Sequence, residues 1–424
     1  MSKSRTATAV CSTSFSCCFP SELRDHVIDQ LHDNRPALKA CSLTCRTWLR
    51  RARYHLFSRV AFDSGQTGDA FGQLVRSSPT IIDFIQEVEL CGTPVHTWWN
   101  TKTPAVSTIA WPTLDQTPRH RKESDVVETA LWLQRILPSS TPPFSRLVSL
   151  KLSSLPISDT VTHALHCHFK NTTTLTLDGC KALALADFMD LLCAFPRLNT
   201  LRVLAAQWLP AIHCKAEKCA GSLPRLRRLE MSRKIDAAPL ISRILTESAH
   251  SDIVSLSCSV SGHNCAHAIR DFLHAARSSL EQLEIGFQDS RDPTDVLQTS
   301  QLDLTQSTGL RRLRISCSAS HCLMPSSYRP SLSWIVILLS TASSSQLQEL
   351  VFSIRSADLC ALNMEGLDVV LSGTRYTSLK SVKFEILLSG QALGGMDHSW
   401  IRNRMPAIRM KGILSISSDT ICSV

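Results

Sequence analysis

Three short segments of this 424-residue chain gather side chains able to hold a metal or attack a carbon centre. HALHCHF carries His163, His166, Cys167 and His168, CSVSGHNCAH carries Cys258, His263, Cys265 and His267, and ALKACSLTCRTW carries Cys41 and Cys45. Zinc needs four ligands at specific spacings, and none of the three segments shows the paired C-x-x-C or the H-E-x-x-H that would supply them. If Cys41 and Cys45 share a helix, their Cβ atoms stand about 5–6 Å apart. A disulfide needs about 3.5–4.5 Å. Two thiolates are also only half of a tetrahedral site, and His32 and His55 fall on other segments without ligand spacing. On the spacing Leu38, Cys41, Cys45, Trp48, both thiols belong to the apolar stripe of one helix and act as small packing residues. No G-x-S-x-G nucleophile elbow and no glycine-rich phosphate loop occurs. The sequence therefore predicts no catalytic residue, no metal and no cofactor, and a chain that is not an enzyme.

The elements that must position these residues follow from composition and period. Apolar residues make up 43% of the chain, enough for a large core, while glycine, at 15 residues, runs at about half its ordinary frequency. The formal charge of +9 with only 19% charged residues is mildly basic, too weak a field to point to nucleic acid. Seventeen cysteines, an odd number without a small-domain framework, fit a reducing compartment, so the cytoplasm, the nucleus or both are expected. The longest apolar run, LSWIVILLSTA at 332–342, falls short of the roughly 20 residues that cross a bilayer, and no membrane association is expected. The Ser/Thr-rich residues 1–18 read as a disordered tail.

A repeat dominates the rest. The pattern apolar-x-x-apolar-x-apolar recurs with its middle residue at Leu150, Leu175, Leu201, Leu229, Leu256, Leu283, Leu313, Leu350 and Val382, and an earlier copy centres on Val88. Between these strand-like triplets lie stretches of helical period such as SDTVTHALHCHF, LADFMDLLCAF, APLISRILTES and CAHAIRDFLHAAR. A strand and a helix every 25–37 residues cannot bury their apolar faces alone, so neighbouring units must stack. The alternative is an ordinary α/β sheet with leucine-rich strands. The interval between Val88 and Leu150 is far longer than the others and reads as one enlarged unit with a surface loop at about 92–124. Its Trp98, Trp99 and Trp111 pin the loop to its scaffold or form a ligand patch.

Ahead of the repeats, Leu23, Val27, Ile28 and Leu31 mark one helix with Ser21 as its N-cap, and a second begins near Pro36. TTTLTLDGCKAL, residues 172–183, resembles the leucine-rich repeat. Phe19-Pro20 with Glu22-Leu23, the Val27-Ile28 pair and ALKACSLTCRTW resemble an F-box, in the version that opens many fungal, basidiomycete-type F-box proteins, and WIRNRMPAIRMKGILSI resembles the end of those proteins. The segment departs from that family at Phe19, Arg35 and Thr44. The resemblance implies an α/β solenoid. A three-helix F-box module at 19–62 would precede an irregular leucine-rich-repeat array at 63–386, with strands on the concave face and helices on the convex one, and a cap at 387–424. It also implies the substrate-recognition subunit of a Skp-cullin-F-box ubiquitin ligase, monomeric within a hetero-complex. Phe19, Pro20, Leu23, Ile28, Leu38 and Trp48 would then dock on the Skp adaptor, with the module's internal core as the other destination for some of them. Residues 20–60 hold eight Lys/Arg against four acids, which suits an acidic partner.

In each strand the residues flanking the buried leucine point outward. Of these, Lys151, Arg202, Arg228, Glu230, Glu284, Arg312 and Arg314 are the candidates for binding a target protein, because the signs are too mixed for nucleic acid. The other reading is a repeat scaffold that binds proteins outside ubiquitin ligation.

Overall fold

A computed structural model describes residues 20–62, 65–92, 133, 143–183, 185–208, 222–232, 235–247, 249–287, 293–317, 332–388 and 398–420. The tail, Phe19 and the tryptophan-bearing loop fall outside them. The chain opens with helices α1 (Ser21–Gln30), α2 (Arg35–Thr44) and α3 (Arg46–Phe57), then β1 (Arg59–Phe62), α4 (Gly65–Ser77) and a 3-10 turn at Pro79–Phe84. There follow β2 (Glu87–Cys91), β3 (Ser149–Ser153), α5 (Asp159–Phe169), β4 (Thr174–Asp178), β5 (Cys180–Leu183), α6 (Leu185–Cys193), β6 (Thr200–Val203), β7 (Ala206–Trp208) and β8 (Arg228–Met231). The remainder alternates regularly: α7 (Ala238–Thr246), β9 (Ser255–Val260), α8 (His263–Ala276), β10 (Gln282–Phe287), α9 (Pro293–Ser300), β11 (Arg312–Cys317) and α10 (Ser333–Thr341). It ends with β12 (Glu349–Arg355), α11 (Met364–Ser372), β13 (Ser381–Leu388), α12 (His398–Arg404), α13 (Pro406–Met410) and β14 (Leu414–Thr420).

Twelve of these strands form one sheet in the order β1-β2-β3-β4-β6-β8-β9-β10-β11-β12-β13-β14, parallel at every pairing. The middle residues of the repeat are aligned across it. Val88 lies opposite Leu150, Leu150 opposite Leu175, and the row continues through Leu201, Leu229, Leu256, Leu283, Leu313 and Leu350 to Val382. Each of these ten side chains is at most 2% exposed. A slip of one residue would turn a leucine onto the solvent face, so the repeat itself fixes the register. Parallel neighbours need long crossovers, and the helices supply them as a second layer in which α7 touches α8, α8 touches α9, and so on to α11. The arrangement is an α/β solenoid-like stack over one continuous core running from Phe62 to Ile408.

The row extends one strand further at each end. Val60 of β1 sits opposite Val88, and Leu414 of β14 opposite Val382. Residues 59–62, placed at the end of the helical module by their sequence, thus belong to the sheet. β2 and β3 are direct neighbours despite the long interval between them. Cys180 ties the turn after β4 to the neighbouring strand: it is 1% exposed and its Sγ donates to the Leu152 carbonyl at 3.5 Å. Gly179, at φ +64°, takes the left-handed turn before it. β5 and β7 pair in a small second sheet that no period announced.

The three N-terminal helices enclose a separate core of Ile28, Leu38, Cys41 and Ala52, with Leu31, Trp48 and Leu56 packed against it. The helix starts differ from expectation. Ser21 is inside α1 and hydrogen-bonds Glu22 instead of capping, whereas Asn34 caps α2 by accepting from the Ala37 amide at 3.0 Å. Cys45 is extended, with φ −160° and ψ 165°, and separates α2 from α3. The single stripe through Cys41 and Cys45 is therefore broken: Cys41 is buried and Cys45 exposed.

Candidate functional site

The helical module presents two kinds of apolar residue. Ile28 and Leu38 are wholly buried in the module's own core, the other destination open to them, and a side chain with no exposed surface reaches no partner unless the module opens. Trp48 is partly buried against the same inner cluster. Pro20 and Leu23 are exposed, Leu23 at 52%, and so are Val27 at 43% and Leu43 at 86%. Val27 and Leu43 were not among the candidates. The signal for them was angular: Leu23 and Val27 form a stripe well away from Ile28, and Leu43 lies five residues from Leu38, on the opposite side of α2. Around this apolar surface Arg35, Lys39, Arg46 and Arg50 are exposed, and none forms an ion pair among the described residues. Cys45 lies beside them, its thiol drawn below its ordinary value by the Thr47 hydroxyl and by backbone amides at the start of α3.

A charged clamp holds the module together. Asp29 of α1 accepts from Arg51 Nε at 2.5 Å and Nη2 at 2.7 Å, and lies 2.7 Å from His55 Nε2, both partners being on α3. The Arg51 hydrogen bond is the chief cause that pushes the Asp29 carboxyl down to about 2, against the upward pull of partial burial. On the sheet side, Gln86 Nε2 donates to the Tyr54 hydroxyl at 3.0 Å, tying α3 to the residue before β2. Between module and sheet opens a cleft of about 900 Å³, with Asp29, Arg51 and His55 on one wall and Glu87, Glu89 and Lys151 on the other. The module thus borders the open face of the sheet.

All seven residues expected on that face are there, and their charges are largely spent on one another. Lys151 lies 2.8 Å from Glu89 and 3.5 Å from Asp178, and Arg202 lies 2.8 Å from Glu230, which also meets Arg228 at 4.0 Å. Arg312 bonds Glu349 at 2.7 Å, and Lys383 reaches the same carboxylate at 3.0 Å. Arg314 pairs with Glu284 at 3.5 Å and with Glu385, two strands away. Hydrogen bonds from Lys151 hold Glu89 below the usual carboxylate range. For Glu349, burial works upward and the bonds from Lys383 and Arg312 overcome it. Such half-exposed pairs contribute about 0–1 kcal/mol each. Their effect is pattern: Arg312 and Arg314 are not isolated cations, and a partner must match alternating signs. In the middle of the face a second cleft, of about 540 Å³, runs over hydroxyl-bearing residues, Ser232 just after β8, Ser257 and Ser259 of β9 and Ser316 of β11.

The histidine and cysteine segments stay apart. In α5, Cys167 Sγ and His163 Nε2 are 3.8 Å apart at the surface, while His166 Nδ1 lies 2.7 Å from the Ala194 carbonyl oxygen. Cys258 and Cys265 are buried, the latter donating to the Ser259 carbonyl at 3.4 Å, and burial raises both thiols. His263 faces Asp295 at 3.9 Å. Among the described residues no three His, Cys, Asp or Glu side chains gather as a metal site would require, and no helix is long and apolar enough to cross a membrane. No family model matches the chain, and no curated protein does.

Proposed function

We propose that the chain is the substrate-recognition subunit of a Skp-cullin-F-box type ubiquitin ligase. The three-helix module docks on the Skp adaptor, and the open sheet face, concave in a leucine-rich-repeat array, holds a target protein for ubiquitin transfer by the partner subunits. The chain itself performs no catalysis. The observation that carries this reading is a small helical module with a core of its own and an exposed apolar surface, joined directly to a twelve-stranded face suited to recognition. A module with a core of four buried residues leaves Pro20, Leu23, Val27 and Leu43 in water, and exposed apolar groups rimmed by charge mark interfaces. The uncompensated Arg35, Lys39, Arg46 and Arg50 favour an acidic partner.

Adaptor capture tests the proposal. The full chain should retain a purified Skp adaptor. Leu23→Asp with Leu43→Asp should lower retention at least tenfold while the far-ultraviolet dichroism stays unchanged, since both side chains are exposed. A wild-type chain that captures no adaptor, or a double variant that captures it equally well, overturns the reading.

A further inference from the structure

The cleft in the middle of the sheet face differs in charge from the rest of the ladder. Its charged lining residues, among those described, are both acids: Asp178 at the end of β4 and Glu284 on β10. Each has a cation on one side only, Lys151 at 3.5 Å and Arg314 at 3.5 Å, and Glu284 Oε1 also accepts from Ser316 Oγ of the cleft lining at 3.0 Å. A carboxylate offers about four lone-pair positions, so both keep acceptors toward the cleft. The floor between them carries Ser232, Ser257 and Ser259, with Leu204 exposed at 41%. Ser259 is 3% exposed, yet its hydroxyl makes no hydrogen bond to any described residue. That hydroxyl lines the cleft and is open to a ligand's donor or acceptor.

The sheet order sets the size of the ligand. From β4 to β10 there are four strand steps, through β6, β8 and β9. At about 4.8 Å per step, the two acids stand roughly 19 Å apart along the sheet. An extended peptide advances about 3.4 Å per residue and turns alternate side chains to the same face, so residues one and seven share a face and their six intervals cover about 20 Å. We propose that this cleft binds an extended segment of about seven residues with a lysine or arginine at each end. One basic side chain would meet Asp178, the other Glu284, and the backbone or a small polar side chain between them would take up Ser259 Oγ. A segment with acidic ends would be repelled on a chain whose net charge of +9 would otherwise attract it. The proposal rests on the target-receptor reading and specifies the kind of sequence that such a target displays.

The test uses the full chain and fluorescein-labelled heptapeptides of alanine and serine, read by fluorescence anisotropy. Peptides with lysine at positions one and seven, lysine at position one only, and glutamate at both ends form the series. The two-lysine peptide should bind at least tenfold more tightly than the one-lysine peptide, and the glutamate peptide should not bind. Asp178→Asn with Glu284→Gln should erase the preference. Ser259→Ala should weaken the two-lysine peptide severalfold without changing the order. Equal affinity across the series, an unchanged preference in the double variant, or displacement of the peptide by equimolar spermidine overturns the proposal. Because no adaptor is present, failure here leaves adaptor capture as it was, and failed adaptor capture leaves the peptide ranking as it was.

Discussion

Replacing Asp29 by asparagine keeps the shape of the side chain and removes the charge that joins α1 to α3. Of the residues of α1 only Ile28 is buried, so the helix depends heavily on this clamp. A carboxyl held at about 2 in place of its ordinary 3.8 corresponds to roughly 2.4 kcal/mol at 1.36 kcal/mol per pH unit. Asp29 and Arg51 are each about a third exposed, at 34% and 35%, and solvent screening reduces the figure to about 1–1.5 kcal/mol. The folded carboxyl is the more acidic, so its contribution is complete above the unfolded value and fades as pH falls through the interval from 3.8 toward about 2. The measurement is amide hydrogen exchange of α1 in the wild type, Asp29→Asn, Arg51→Met and the double variant. Global unfolding is the wrong readout, because the module has its own core. A coupling of about 1–1.5 kcal/mol is expected at pH 6, shrinking below pH 4. Coupling under about 0.3 kcal/mol, or an asparagine penalty as large at pH 2 as at pH 6, would refute the reasoning.

Two further outcomes follow from the array. Asp368 of α11 is 7% exposed and accepts from the Ala407 and Ile408 amides at 3.0 and 2.9 Å, closing the start of α13. Asp368→Ala should cost about 2–3 kcal/mol in urea denaturation by leaving both donors unsatisfied, and Asp368→Asn clearly less; equal penalties would show that the carboxylate does not cap that helix. At Gly309 an added Cβ would stand 2.1 Å from the Ser278 carbonyl oxygen, a backbone atom that cannot swing away, so Gly309→Ala should cost about 1–3 kcal/mol by the same assay. A neutral result would mean that the two turns separate freely.

The sheet was largely legible in the sequence because one physical demand repeats: a leucine buried at the same point of every strand. That demand fixed the position of each described strand from β2 to β13 in the large sheet and, through the pairing of Val88 with Leu150, the adjacency of β2 and β3. β1 escaped notice because RVAF is short and lacks the triplet, and β5 and β7 because strands of four and three residues have no period to detect. In the helical module the spacing found the right helices but merged two of them, since periodicity is blind to the extended backbone at Cys45. Docking residues were chosen by apolar type, and type does not distinguish Leu38, turned inward, from Leu43, turned outward. The ladder residues were found, yet their neutralisation was not. Arg314 meets Glu385 across 71 residues of sequence, a contact that exists only once the strands are set side by side.

The two cores share no buried side chain among the described residues: Ile28, Leu38, Cys41 and Ala52 close on themselves, and the long cluster begins at Phe62. Injury to one end therefore need not propagate to the other. The front helices can fray and re-form while the rungs behind them stay zipped, with Phe57 and the Tyr54–Gln86 bond as the links between the two.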